Sequence, residues 1–189
     1  LMRRYWQPVC LSAELADLPR KVRILCEDLV VFRDLSGNVG CLALHCAHRG
    51  TSLEYGRVEA AGIRCCFHGW VYDTQGVCVE MPCEKPGMVE AMDVRQPGYP
   101  VQEHGGLVFT YMGPPDKKPL FPLYDIIDPD YWENAELQGM RLWEDHSVGF
   151  VRDCNWLQHY ENVVDPYHLL ILHNMISGDQ FGIAVTSGD

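Results

Sequence analysis

Apolar positions between Val22 and Phe32 fall in two short β-rich runs, Val22–Leu25 and Leu29–Phe32. A third run, Val39–Leu44, follows a Ser36-Gly37-Asn38 turn. Runs of four to six such residues bounded by turn formers fit a pleated surface, so this stretch predicts strands. A second hairpin is predicted from Trp70–Tyr72 and Val77–Val79 around Asp73-Thr74-Gln75-Gly76, and Leu107–Tyr111 closes the β region. The pattern then breaks at Gly113-Pro114-Pro115-Asp116-Lys117-Lys118-Pro119, a linker composition. A domain boundary is placed there, giving segments 1–115 and 116–189. Past it, Met140–Val151 reads as extended, and Asn155–Val163 and Pro166–His173 read as helical. There is no internal repeat and no low-complexity tract. The predicted class is α+β, with the strands concentrated in the first segment.

Composition narrows the function. The chain has 189 residues, 15 Lys+Arg against 26 Asp+Glu and a net charge of −11; 47% of it is hydrophobic and 22% charged. That suits one ordinary domain or two small ones with a proper core. With no basic cluster longer than Arg3-Arg4, neither nucleic acid nor an anionic membrane is an expected partner. The longest apolar runs, such as Leu169–Leu172, fall far short of a membrane span. The opening residues lack a secretory apolar region, so a cytoplasmic location is expected, and a start at Leu1 reads as lying inside a longer polypeptide. Nine Cys, an odd number with no Cys-x-x-Cys, argue for reduced thiols, several of them small core residues. They argue against a zinc ribbon or a thioredoxin-like pair.

The chemistry lies in how Cys and His alternate. Cys46-Ala47-His48-Arg49-Gly50 and Cys65-Cys66-Phe67-His68-Gly69-Trp70 each set a thiol and an imidazole a few residues apart, next to a Gly that permits a tight loop. One such segment would be a buried Cys beside a surface His. Two, each closed by Gly and separated by a hairpin-sized stretch, are much harder to obtain by chance. A zinc finger supplies two Cys and then two His, whereas each loop here supplies one of each. This order suits a two-iron cluster with both Cys on one iron and both His on the other. Neutral imidazoles in place of two thiolates make the oxidised cluster easier to reduce.

These segments resemble the Rieske [2Fe-2S] family from about Leu44 to Pro82, and its oxygenase branch in particular. The respiratory branch has an extra disulfide-forming Cys in each loop, where this chain has Thr51 and Phe67. Cys66 reads as inert packing beside a ligand, and His45 as a surface or supporting residue. The resemblance implies Cys46, His48, Cys65 and His68 as cluster ligands.

A second constellation lies in Asn155-Trp156-Leu157-Gln158-His159-Tyr160-Glu161-Asn162-Val163-Val164-Asp165-Pro166-Tyr167-His168, followed by Leu169–Leu172 and His173. Asp165 and His168 share a helical face. His168 and His173 are five residues apart, roughly 140° on a regular helix, so both reach one metal only if the helix is distorted. The alternative is a core helix with incidental His and Asp165 as its N-cap before Pro166. The spacing resembles the mononuclear iron motif of Rieske non-haem iron oxygenases, and the opening Met2-Arg3-Arg4-Tyr5-Trp6-Gln7-Pro8-Val9 is similar to the phthalate-dioxygenase-like subgroup.

The resemblance implies a large (alpha) subunit with a β-rich Rieske domain followed by the N-terminal part of an α+β, helix-grip-like catalytic domain. His168 and His173 would then bind mononuclear Fe(II), and Asp165 would act as a catalytic carboxylate linking His68 of one subunit to His168 of the next. The family's third iron ligand lies far downstream; Asp179 and Asp189 sit in a Gly/Ser-containing stretch and neither is assigned. The sequence therefore reads as part of a longer subunit.

The implied function is that of a terminal oxygenase. It would use dioxygen to hydroxylate or demethylate an aromatic substrate in aromatic hydrocarbon catabolism, as a homotrimer or a multiple of trimers. The chain has no Gly-x-Gly-x-x-Gly, so a separate NAD(P)H-dependent reductase is implied. Two other readings compete: a Rieske ferredoxin-type electron carrier, which leaves residues 116–189 without purpose, and a structural zinc module on the same Cys and His.

Overall fold

The computed structural model describes residues 1–123 and 154–172 of a chain that forms two compact units, Leu1–Leu142 and Trp143–Asp189. In the first unit the described strands make three antiparallel sheets. One runs β2 (Arg20–Ile24), β3 (Glu27–Arg33), β4 (Val39–Ala43), β9 (Gly98–Tyr99). Another runs β5 (Arg57–Glu59), β6 (Gly62–Arg64), β7 (Val71–Tyr72), β8 (Cys78–Glu80). The third runs β1 (Trp6–Leu11), β11 (Leu107–Tyr111), β10 (Val101–His104).

Strand β3 explains how the cores are arranged. An apolar run without polar alternation belongs to a strand covered on both faces, and Leu29, Val30, Val31 and Phe32 are all fully buried. Leu29 and Val31 pack with Leu15, Cys41, Val108 and Met112. Val30 and Phe32 belong to a second core with Leu42, Leu44, Leu53, Ile63, Trp70 and Tyr72. The sheet containing β3 is thus a wall shared by two cores, and the second core contains Cys46 and Cys65.

The predicted strands are present, with ends shifted by a few residues. The β2–β3 hairpin turns at Leu25 and Cys26, both at positive φ, and pairs Arg20 with Val31 and Ile24 with Glu27. The stretch of linker composition lies against the third sheet. The Tyr111 hydroxyl donates to the Pro114 carbonyl at 2.9 Å, and Trp6 Nε1 donates to the Pro119 carbonyl at 3.3 Å. Phe121 then stacks edge-on against Trp6 and Phe109, with centroids 5.4 and 5.1 Å apart.

A short helix, α1 (Met88–Met92), lies between β8 and β9. In the second unit, α2 (Trp156–Val163) is capped by Asn155, whose side chain accepts the Leu157 N–H, and α3 (Pro166–Leu170) follows. The α-helical geometry stops at Leu170, and Ile171 and Leu172 continue as a wider π-helical turn. The predicted extended stretch Met140–Val151 lies outside the described residues, as does His173. No helix among the described residues is long and apolar enough to cross a membrane.

Candidate metal centre

The two Cys/His loops are built alike. In the first, after β4, the Cys46 N–H donates to the Thr51 carbonyl at 2.9 Å and the Gly50 N–H returns to the Cys46 carbonyl at 2.8 Å. In the second, between β6 and β7, the Cys65 N–H donates to the Trp70 carbonyl at 2.9 Å and the Gly69 N–H returns to the Cys65 carbonyl at 3.1 Å. Closing each loop needs a left-handed residue, and Gly50 and Gly69 supply it at φ +72° and +75°. One hydrogen-bond pattern used twice brings like beside like. Cys46 and Cys65 are both 3% exposed and lie near enough that each thiol feels the other's charge, while the His48 and His68 rings lie 4.5 Å apart, partly exposed.

Two buried soft donors and two imidazoles nearer the surface fit a two-iron cluster. Among the described residues, no three His, Cys, Asp or Glu side chains converge on a single metal position. Trp70 also fits the cluster reading: it stacks flat on His48 with centroids 4.3 Å apart, and its buried Nε1 has no hydrogen-bond partner among the described residues.

Charge at the site follows from its burial. Loss of hydration lowers the His48 pKa, His68 and Arg49 lower it further and Glu84 opposes them, a shift in the direction of the neutral, metal-binding ring. Burial pushes the Cys65 thiol up, the main-chain N–H groups of Phe67 and His68 pull it down, and the adjacent Cys46 pushes it up again. The Tyr72 hydroxyl lies 3.2 Å from Cys46 Sγ; burial, and then that hydrogen bond, raise its pKa, so the hydroxyl keeps a proton that it can donate to a thiolate.

Two further side chains hold the loops from outside and were not singled out by the sequence. Arg64 places all five of its N–H donors: on Glu59 through Nε (2.7 Å) and Nη2 (2.8 Å), on Glu80 through Nη2 (2.6 Å) and Nη1 (3.1 Å), and on the Gly69 carbonyl at 2.7 Å. Gln96 does the corresponding work for the first loop. Cys66 is exposed, which corrects its reading as a packing residue: the loop turns it outward between Cys65 and Phe67. His45 is also on the surface, with Nδ1 3.0 Å from the Gly50 carbonyl.

In the second unit, Asp165 uses its two carboxylate oxygens differently. Oδ1 caps α3, accepting from the Tyr167 N–H at 2.9 Å and the His168 N–H at 3.4 Å, while Oδ2 lies 3.8 Å from His168 Nδ1. Capping and facing the histidine are therefore compatible. The π-helical turn at Ile171 and Leu172 lies between His168 and position 173, and is the kind of distortion that a five-residue spacing requires. His159 lies on α2.

Residues 5–103 match the Rieske [2Fe-2S] domain family. The chain is 53% identical over 184 residues to the phenoxybenzoate dioxygenase subunit alpha of Ectopseudomonas oleovorans, an alignment covering 95% of this chain and 45% of that protein. It is also 53% identical over 176 residues to the tert-butanol monooxygenase / tert-amyl alcohol desaturase oxygenase subunit of Aquincola tertiaricarbonis, covering 92% and 35%. The chain thus spans less than half the length of either relative. A crystal structure of dicamba monooxygenase with non-heme iron and dicamba aligns with a TM-score of 0.59 and 27% identity, over 68% of this chain and 40% of that one.

Proposed function

The chain belongs to the Rieske [2Fe-2S] domain family, and on that premise we propose that it is part of the terminal oxygenase component of a Rieske non-haem iron oxygenase. It would work with a separate NAD(P)H-dependent reductase to hydroxylate or demethylate an aromatic substrate. The observation that carries this reading is the pair of matching loops, with two buried thiols in one core and two imidazoles 4.5 Å apart. Cys46 and Cys65 would hold one iron and His48 and His68 the other. The cluster, when bound, supplies one-electron transfer at a potential raised by its neutral ligands.

The chain's own residues condition that site. Tyr72 would donate to one ligand sulfur, and the Phe67 and His68 amides favour negative charge on the other. His48 and His68, at the partly exposed end, can donate their outer ring N–H to an acceptor on a partner surface. We assign that acceptor to Asp165 of a neighbouring subunit in a homotrimer or a multiple of trimers, where it would also orient His168. His168 and His173 would hold a mononuclear Fe(II), in a catalytic domain beginning near residue 116. A reducing cytoplasm suits nine cysteines that form no disulfide.

Support for oxygenase chemistry over simple electron carriage comes from the relatives, since the alignments extend well past the cluster domain into oxygenase subunits. Two relatives of equal identity are named for a phenoxybenzoate and for tert-butanol, so this segment serves electron delivery more than substrate choice. The test is turnover of the full-length subunit with its reductase under ¹⁸O-labelled dioxygen. Aromatic acids, methoxylated aromatics and tertiary alcohols would be compared. Label in an aromatic product is expected. Label only in alcohol products would move the substrate class. Reduction of an external acceptor without oxygen incorporation would establish the carrier reading instead.

A further inference from the structure

The residue that ties the two ligand loops together is Gln96, 2% exposed and distant in sequence from the loop it touches. Its Oε1 accepts the Ala47 N–H at 2.8 Å, between the two ligands of the first loop. Its Nε2 donates to the Ala43 carbonyl at 2.6 Å and to the His45 carbonyl at 2.8 Å. Both N–H donors and the carbonyl oxygen of the amide are engaged, and three main-chain groups around Cys46 are held at once.

The main chain of the same segment grips the other arm. The Gln96 N–H donates to the Gly76 carbonyl at 2.7 Å and the Cys78 N–H donates to the Val94 carbonyl at 3.0 Å, both on the hairpin that follows the second loop. Approach at Gly76 is so close that an added Cβ would sit 2.1 Å from the Gln96 carbonyl oxygen. On its far side the segment meets β4, where the Ala43 N–H donates to the Pro97 carbonyl at 2.8 Å.

From this we infer that Gln96 is a positioning residue that sets the spacing between the first loop (Cys46, His48) and the second (Cys65, His68). The inference rests on the cluster reading above. A buried amide that makes all its hydrogen bonds to main chain specifies one loop conformation, because each unmade bond would leave a buried polar group unpaired. An apolar side chain of the same shape could fill the space but could not fix the loop.

The experiment compares the wild-type protein with Gln96→Met, which keeps volume, and Gln96→Asn, which draws the amide back by one methylene. Iron, acid-labile sulfide, the resonance spectrum of the reduced protein and the reduction potential are measured on each. We expect variants that take up the cluster but show broadened, shifted g-values, a displaced potential and iron loss to a chelator faster by roughly tenfold or more, as expected for several lost hydrogen bonds. Variants that melt earlier with the wild-type spectrum and potential would make Gln96 merely structural and overturn the inference. If neither variant folds, amide exchange in the wild-type protein decides. Ala47 is exposed, so slow exchange of its N–H reports the Gln96 bond, and exchange at the rate of an open loop refutes it. A wild-type protein without iron and labile sulfide would sink the cluster reading itself, and the inference with it.

Discussion

Tyr72 bears on the proposed redox site through one buried atom. Its hydroxyl is held 3.2 Å from Cys46 Sγ in a fully buried position, where it would donate to a ligand sulfur whose negative charge would grow on reduction of the proposed cluster. Hydrogen bonds to ligand sulfur favour the reduced state. Tyr72→Phe is therefore expected to keep both irons and lower the reduction potential, measured by redox titration; an unchanged potential would mean that the bond is not made in the loaded protein. Arg64 acts on the second loop through charge. Its guanidinium holds the Glu59 carboxyl at about 2 against an ordinary 4.5, and holds Glu80 below its usual range as well. A carboxylate with a depressed folded-state pKa contributes stability in full above its unfolded value and loses it as the pH falls through the folded one. Thermal stability should accordingly fall as pH is lowered from about 4.5 toward about 2. Arg64→Lys, which cannot reproduce the five-donor fork, should shrink that fall. Equal acid profiles for both proteins would show that the network carries no such linkage.

At the scale of elements, legibility followed range. Leu29–Phe32 and Leu107–Tyr111 could be read because four or five consecutive residues carried the signal, and the two tight Cys/His loops because each Gly lies within four residues of its Cys. Strand β1 was missed because Pro8 lies inside it; the strand tolerates this residue through a register shift between Pro8 and Cys10. β5 and β6, three residues each, are too short to show a period. Gln96 left no local trace, since its side-chain partners are 49 to 53 residues away. The helical element carried two readings in one residue, because Asp165 is both N-cap and carboxylate. Substitution can separate them. Asn caps as well as Asp, whereas Ala forfeits about 1 kcal/mol. Asp165→Asn should thus keep the wild-type melting temperature and both metals yet lose coupled product formation, while Asp165→Ala should lose about 1 kcal/mol of stability in addition. Normal turnover in the Asn variant would confine Asp165 to capping.

Across the whole molecule, the shared sheet makes the proposed cluster site part of the fold itself. Cys46 and Cys65 belong to the core that β3 closes from behind, so releasing those irons means exposing thiols that are packed with Trp70, Tyr72 and Met81. The iron proposed for the second unit has no thiolate. Two imidazoles and a carboxylate on an exchangeable ferrous ion form a weaker set, with positions left open by design. The two centres should therefore separate under chelation. Anaerobic treatment of the full-length subunit with a mild ferrous chelator is expected to remove one iron in three and abolish oxygenation. The visible spectrum of the cluster should stay intact, and added Fe(II) should restore activity. An electron carrier would behave otherwise, losing colour in proportion to every iron removed and having no oxygenation to regain. Iron and colour that leave together would mean the second centre is absent, and residues 154–172 would then need another purpose.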